Sequence, residues 1–399
     1  MASTSPKLTD SVQFPSNLDV AKTFYGFGVV GLIASFVGYF LNSEQFFFSY
    51  LTSFTFFTSI SLASLILVMI HHITKSSWGT VFRRIPEAFM SNLGIWAIFM
   101  IPVLLGMSSL YSWTNTAYVA EDPIMLGKVP YLNTPFFVIR QFIYFGIWGY
   151  LGHRLYKVSV EMDETNDWGI TKVLQKLSAP GILIFSLTVA FASFDWLMSL
   201  DAHWFSTMFG VYFFAMSFQA LFPILILMIF WFRKKGILEN TIGKAHIYDL
   251  GAWFFGFTVF YAYIAFSQFL LIYYANIPEE TLWFYHRLEG SWSFVTYSLL
   301  ICRFIIPFIL LLNRDTKHNN KLLVFTSVLV IFMHIVELHW IVMPILSHDG
   351  VSISWLDFAT FIGLGGIFMG LFFQKFSKHN MVPVNDPKLA ESLSKHYHQ

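Results

Sequence analysis

The stretch Gly181-Ile182-Leu183-Ile184-Phe185-Ser186-Leu187-Thr188-Val189-Ala190-Phe191-Ala192-Ser193-Phe194-Asp195-Trp196 carries one charged side chain, Asp195, near its end. Widened to about 179–199, it is long enough to cross the hydrocarbon of a bilayer as a helix, for which about 20 apolar residues suffice. Nine other stretches read the same way: roughly 22–41, 47–70, 91–110, 133–156, 205–232, 249–275, 291–312, 321–346 and 354–374. The chain's composition agrees. Only 12% of its 399 residues are charged and 56% are hydrophobic, whereas a soluble domain carries about 25% charged residues. The expected fold is therefore an all-α membrane protein of ten transmembrane helices, with the lipid bilayer as its solvent. Its parts are an N-terminal segment (1–21), a membrane domain (22–374) and a tail (375–399). Net charge is +1, which gives no reason to expect nucleic acid as a partner.

The distribution of Lys and Arg orients the spans. Twenty of the 24 fall in the N-terminal segment, the tail and alternate loops, while the opposite loops hold only Lys128 and Arg287. Arg140 and Arg303 lie inside spans. Positive loops stay on the cytoplasmic side, so both termini and the basic face are expected in the cytoplasm. Trp78, Trp113, Trp204, Trp283, Trp292 and Trp355 fall near span ends, where an amphipathic indole anchors at the interface. Between Trp78 and Met90, the residues Val81, Phe82, Ile85 and Phe89 recur near helical spacing with Arg83 and Arg84 opposite. That pattern predicts a short helix lying on the basic face of the membrane.

An internal similarity divides the spans. Asn92-Leu93-Gly94-Ile95-Trp96 opens span 3, and Asp249-Leu250-Gly251-Ala252-Trp253 opens span 7. The same offset lays span 6 over span 2 and span 8 over span 4. A shorter one aligns Asp195-Trp196 with Glu337-Leu338. Spans 2–5 (about 47–199) and 6–9 (about 205–346) thus read as two four-helix bundles in a parallel repeat, with spans 1 and 10 as peripheral helices.

An ionisable group at bilayer depth costs several kcal/mol and so marks a place where function is sought. Arg140, Asp195, Arg303 and Glu337 are those groups, one Arg and one carboxyl per bundle. Consecutive spans suggest the pairs Arg140 with Asp195 and Arg303 with Glu337. In such a pair both carboxyls stay ionised and carry protons poorly. His334 sits one turn before Glu337 on the same helix face, where it would relay a proton or hold the bundle together. The turn Ser199-Leu200-Asp201-Ala202-His203-Trp204 puts a carboxylate, an imidazole and an indole beside Asp195. Those groups suit a quinol site, which needs a proton acceptor and apolar walls. The other reading is an Asp and a His capping the start of span 6. On the basic side, His71, His72, His246 and Asp249 are read as solvated, with a proton-entry path as the alternative.

A transmembrane haem needs two histidines at similar depth on facing helices, and the deep ones, His334 and His339, share a helix. With one cysteine, Cys302, an iron–sulfur cluster cannot be ligated by this chain alone. No metal site is expected.

Two segments carry a family likeness. Phe194-Asp195-Trp196-Leu197-Met198-Ser199-Leu200-Asp201-Ala202-His203-Trp204-Phe205-Ser206-Thr207 is one, and the run from His71-His72 through Arg83-Arg84 to Asn92-Leu93-Gly94 is the other. With ten spans and no redox ligands, they resemble the polysulfide-reductase-like integral membrane family, and within it the F subunits of bacterial alternative complex III. The resemblance implies a subunit of a quinol:cytochrome c oxidoreductase in the bacterial inner membrane, working beside a homologous C subunit. Haem c and iron–sulfur clusters would sit in partner subunits, and menaquinone would be the lipid-soluble substrate. Asp195, Asp201, His203 and Trp204 are the quinone-binding candidates it implies. Candidates for a proton path are Glu337, His334, Arg303, Arg140, Asp249, His71 and His72. A secondary transporter or proton channel also suits paired bundles with buried carboxyls. Against it, Pro102 of span 3 aligns with Val259 of span 7, so the two halves are not broken in matching places.

Overall fold

The computed structural model describes residues 8, 10–16, 18–165, 167–348 and 350–395. Lys7, counted above with the basic face, lies outside them. The described residues form helices and turns and contain no strand. Nine helices among them are long and apolar enough to cross a membrane.

These are α1 (Val20–Leu41), α2 (Ser43–Thr74), α3 (Arg84–Leu105), α5 (Ile170–Trp196), α6 (Phe209–Lys234), α7 (Lys244–Ala275), α9 (Trp292–Leu312), α10 (Asn320–Val342) and α11 (Trp355–Phe376). Between α3 and α5 lies α4 (Thr134–Thr165), 32 residues and thus about 48 Å long. It is long enough to span, but Arg140, Gln141, His153, Arg154 and Lys157 lower its apolarity, so it falls outside the nine.

Helix α2 is the axis of the molecule. It packs against α1, α5, α6, α10 and α11, and every residue from Gln45 to Met69 is buried. A helix apolar all round belongs in an interior. Its many Ser and Thr hydroxyls are absorbed locally, as where Thr58 donates to the Phe54 carbonyl (2.7 Å) and Ser64 to that of Ile60 (2.8 Å). The terminal helices α1 and α11 pack on each other through small residues. A Cβ at Gly31 would meet the backbone of Gly363, and one at Gly28 the backbone at Gly366 and Ile367. Close backbone approach of this kind gives helices in lipid the packing that hydrophobicity cannot supply there.

Four features depart from the sequence reading. The segment 78–90 is not a surface helix. Arg83, Arg84 and Glu87 are as buried as Val81, Phe82, Ile85 and Phe89, because the charges neutralise one another and need no water. Helices α4 and α5 run past the apolar stretches read at 133–156 and 179–199, to Thr165 and back to Ile170, and so keep their backbone groups bonded. Helix α3 is irregular, with a tighter 3-10 turn over Ala97–Met100 ahead of Pro102, and the Tyr50 hydroxyl donates to the Phe99 carbonyl there (2.8 Å). Finally, α8 (Pro278–Leu288) lies between α7 and α9. Pro278 at its first position, Glu279 and Glu280 in its first turn and Arg287 in its last are the sequence signals for it.

Candidate functional site

Asp195 ends α5 and is fully enclosed. Arg140 of α4 grips it with Nε to Oδ2 and Nη2 to Oδ1, both 2.8 Å. The Tyr131 hydroxyl donates to Oδ1 (2.8 Å) and the Tyr144 hydroxyl to Oδ2 (2.9 Å). Gln141 stands beside them, its Oε1 accepting from the Trp196 indole (2.7 Å). The Arg140 guanidinium lies over the rings of Tyr131 (4.0 Å) and Phe136 (4.4 Å), which replaces part of its lost hydration.

The other half of the chain holds a constellation of the same chemistry. Glu337 of α10 pairs with Arg303 of α9, and both are 0% exposed. Tyr212 of α6 donates to Glu337 Oε1, as does Tyr261 of α7 at 2.6 Å. Gln219 accepts from Arg303 Nε (3.1 Å). Each carboxylate thus meets one guanidinium and two phenols, with a glutamine alongside. The phenols and glutamines come from different places in the two halves: the loop and α4 for Asp195, α6 and α7 for Glu337.

Arg303 stands in a π-helical segment, Leu299–Ile305, three residues before the α-helix resumes with Pro307 in its first turn. Proline has no N–H for the carbonyl four residues back and crowds it. That carbonyl is Arg303's own, and the widened turn accommodates it. Arg303 also donates to His334 Nδ1 (3.1 Å). An arginine has only donors, so Nδ1 is the acceptor and the proton resides on Nε2, which faces Ser59 Oγ of α2 at 3.1 Å. His334 therefore ties the Glu337 constellation to the central helix.

Beside Glu337 is a cavity of about 540 Å³ whose walls are almost wholly apolar. Tyr212, Tyr261, Glu337 and Trp340 form its deep end. Phe266, Tyr297 and Leu300, more than half exposed on the outer surface of α7 and α9, form its mouth. Helix α8 closes the end away from the basic face with Trp283, Phe284 and Leu288.

The candidates near residues 199–204 go elsewhere. His203 pairs with Asp122 of the loop 111–132, and that contact holds the Asp122 carboxyl below its usual range. Lys128 Nζ donates to the carbonyls of Ala202 (2.6 Å) and His203 (3.1 Å). Trp204 stacks on Trp283 (4.5 Å), behind the cavity of the second half. Asp201 acts electrostatically on Lys128 and Arg287. Among the described residues no hydrogen bond or ion pair joins Asp195 to Asp201 or His203. Arg287 is buried and, among the described residues, pairs with no carboxylate; it donates to the carbonyls of Trp283, Trp340 and Ile341 at 2.8–3.1 Å. Burial pushes its guanidinium down to about 9, partly opposed by the charge of Asp201.

On the basic face, His71, His72, His246 and Asp249 are buried, not solvated. The tail covers this face. Asp249 pairs with Lys395, and His246 Nε2 meets the Ser392 carbonyl (3.1 Å). Arg83 reaches Asp386 (2.7 Å), and Asn385 donates to the Asp163 carbonyl (2.7 Å). Neither ring nitrogen of His71 has a hydrogen-bond partner among the described residues. Glu87 joins Arg83 and Arg84 (both 2.9 Å) and accepts from Ser159.

The sequence reading missed Tyr131, Tyr144, Tyr212 and Tyr261. Phenols are common in so aromatic a chain, and only proximity to a buried carboxylate distinguishes these. No protein-family model matches the chain, and no curated protein matches it in sequence.

Proposed function

We propose that this chain is a metal-free membrane subunit of a quinol:cytochrome c oxidoreductase of the alternative complex III kind. In this reading ten spans form two parallel four-helix bundles with two peripheral helices, α4 being the tenth span. Both termini face the cytoplasm of a bacterium, and the substrate is a quinol such as menaquinol. The redox metals belong to partner subunits, beside a homologous membrane subunit.

The observation that carries the proposal is the apolar cavity ending on Glu337, Tyr212 and Tyr261. Its size lies in the range of about 300–1,000 Å³ typical of small-molecule pockets, and its mouth faces where acyl chains would lie. The two phenols donate to Glu337 and line the cavity, and a phenol oxygen that donates can still accept. A quinol hydroxyl would donate to a phenol oxygen while the phenol proton shifts toward Glu337, general-base assistance that the pair with Arg303 makes weaker than a free carboxylate would give. Trp283, Phe284 and Phe269 line the cavity and would keep water from it. Arg303 offsets the carboxylate's charge and fixes its position.

Gentle detergent extraction from the native membrane tests the proposal. Haem absorbance and quinol:cytochrome c activity should follow this chain through purification. A colourless chain isolated alone, carrying solutes or protons across liposomes, would instead establish the transporter reading.

A further inference from the structure

Most polar groups around the cavity are already spoken for. Glu337 holds Arg303, Tyr212 and Tyr261. The Trp340 indole donates to Thr296 (2.8 Å), whose hydroxyl bonds the Arg287 carbonyl (2.5 Å). Gln268 is the exception. It is 3% exposed and lines the cavity, yet its one side-chain hydrogen bond among the described residues is a long contact of 3.4 Å, from Ser206 Oγ to Oε1. The amide N–H groups are left without an acceptor. The Gln268 amide is not sealed off in the interior: it opens on the cavity, where an acceptor on a bound molecule would complete its hydrogen bonding.

The placement says what shape that acceptor has. Gln268 and Tyr261 lie on the same face of α7, seven residues or two turns apart, a rise of about 10 Å. Glu337 and the two phenols fill the deep end, and Gln268 stands toward the end closed by α8. Side chains from both positions line the cavity, and the walls between are apolar.

We propose that Gln268 reads the head group of the cavity's ligand. The ligand class is a flat, lipid-soluble ring with two opposed oxygens, one accepting from the Gln268 amide and the other facing Tyr212 and Tyr261. Its hydrocarbon tail leaves past Phe266 and Leu300 into the bilayer. This assignment rests on the cavity being the quinone site proposed above, and it adds the residue that selects a ring carbonyl over a plain acyl chain.

The test uses the purified complex and a fluorescent hydroxyquinoline N-oxide, whose two oxygens lie across the ring. Ala265→Trp and, independently, Ala262→Phe fill the cavity and should abolish probe binding. Gln268→Leu should weaken it about tenfold, the factor for one lost hydrogen bond of ordinary strength, and Gln268→Met should match it. Isotope-edited infrared spectra of bound menaquinone should show one carbonyl stretch lowered by hydrogen bonding in the wild type and restored in Gln268→Leu. A general loosening of the fold would not produce that pattern. If the filled variants lose the probe while both Gln268 variants bind it with wild-type affinity, the role of Gln268 is overturned and the cavity stands. If the filled variants bind as the wild type does, the cavity is not the site, and the proposed function loses the observation that carries it.

Discussion

Arg140 and Asp195 meet through two parallel hydrogen bonds of 2.8 Å, and Asp195 is completely enclosed. Bidentate geometry is the strongest form of this pair. With Tyr131 and Tyr144 added, the Asp195 carboxylate has four donors within 2.9 Å. Glu337 has similar partners but opens on a cavity. The two halves therefore hold similar charges in different settings, one sealed and one open.

Breaking the sealed pair should damage the fold more than any chemistry. Removing one member of a buried ion pair costs about 3–5 kcal/mol, whereas replacing both by apolar groups can be nearly neutral. Asp195→Ala should lower the thermal midpoint in detergent sharply, and the double variant Arg140→Met, Asp195→Leu should recover most of it. A double variant no better than the single one would show that the pair does more than hold α4 to α5.

Glu337→Gln keeps shape and removes charge. The expected outcome is a complex that assembles with its partners but oxidises quinol more slowly and with an altered pH profile. Turnover and proton stoichiometry equal to the wild type would remove Glu337 from the mechanism.

His203 and Asp122 form a contact outside the cavity, so His203→Ala should act on the outer loop. Faster deuterium exchange over 115–128 is expected, with quinone affinity unchanged. A loss of quinone affinity without faster exchange would return His203 to the binding site.

The tail should detach in acid. Burial raises the Asp386 carboxyl, but the Arg83 guanidinium outweighs it and holds the group below its usual range. A carboxyl depressed in the folded state contributes stability above its unfolded value of about 3.9, and loses it as pH falls through the folded one. Limited proteolysis should therefore release residues 381–395 readily only when pH falls well below about 4, and slowly at neutrality. Asp386→Asn should be cleaved quickly at both. Equal rates for wild type and variant would place the hold on the tail elsewhere.

Gly31→Leu should drive α1 from α11, since the new side chain would meet the Gly363 backbone. Overpacking costs about 1–3 kcal/mol. A cysteine pair across the two helices should cross-link poorly in that variant, and normal cross-linking would show that the helices pack differently.

The sequence by itself determined the medium, the approximate spans and the four charges that matter, because burying charge in lipid is so costly that composition must record it. It also led to the Arg–carboxylate pairs, since consecutive spans are neighbours. Only the tertiary structure decided what surrounds those pairs. Phe, Tyr and Trp are so abundant here that spacing could not separate Tyr131, Tyr144, Tyr212 and Tyr261 from the rest. Charge likewise could not say that Arg83 and Arg84 face inward, because beyond the neighbouring Glu87 their partners Asp163 and Asp386 lie far along the chain. His203 turned to Asp122 and not to Asp195 for the same reason: a side chain's partner is set by which helices pack together. The cavity is the clearest case. It is a gap between α6, α7, α8, α9 and α10, a property of how those helices meet, and no single segment encodes it.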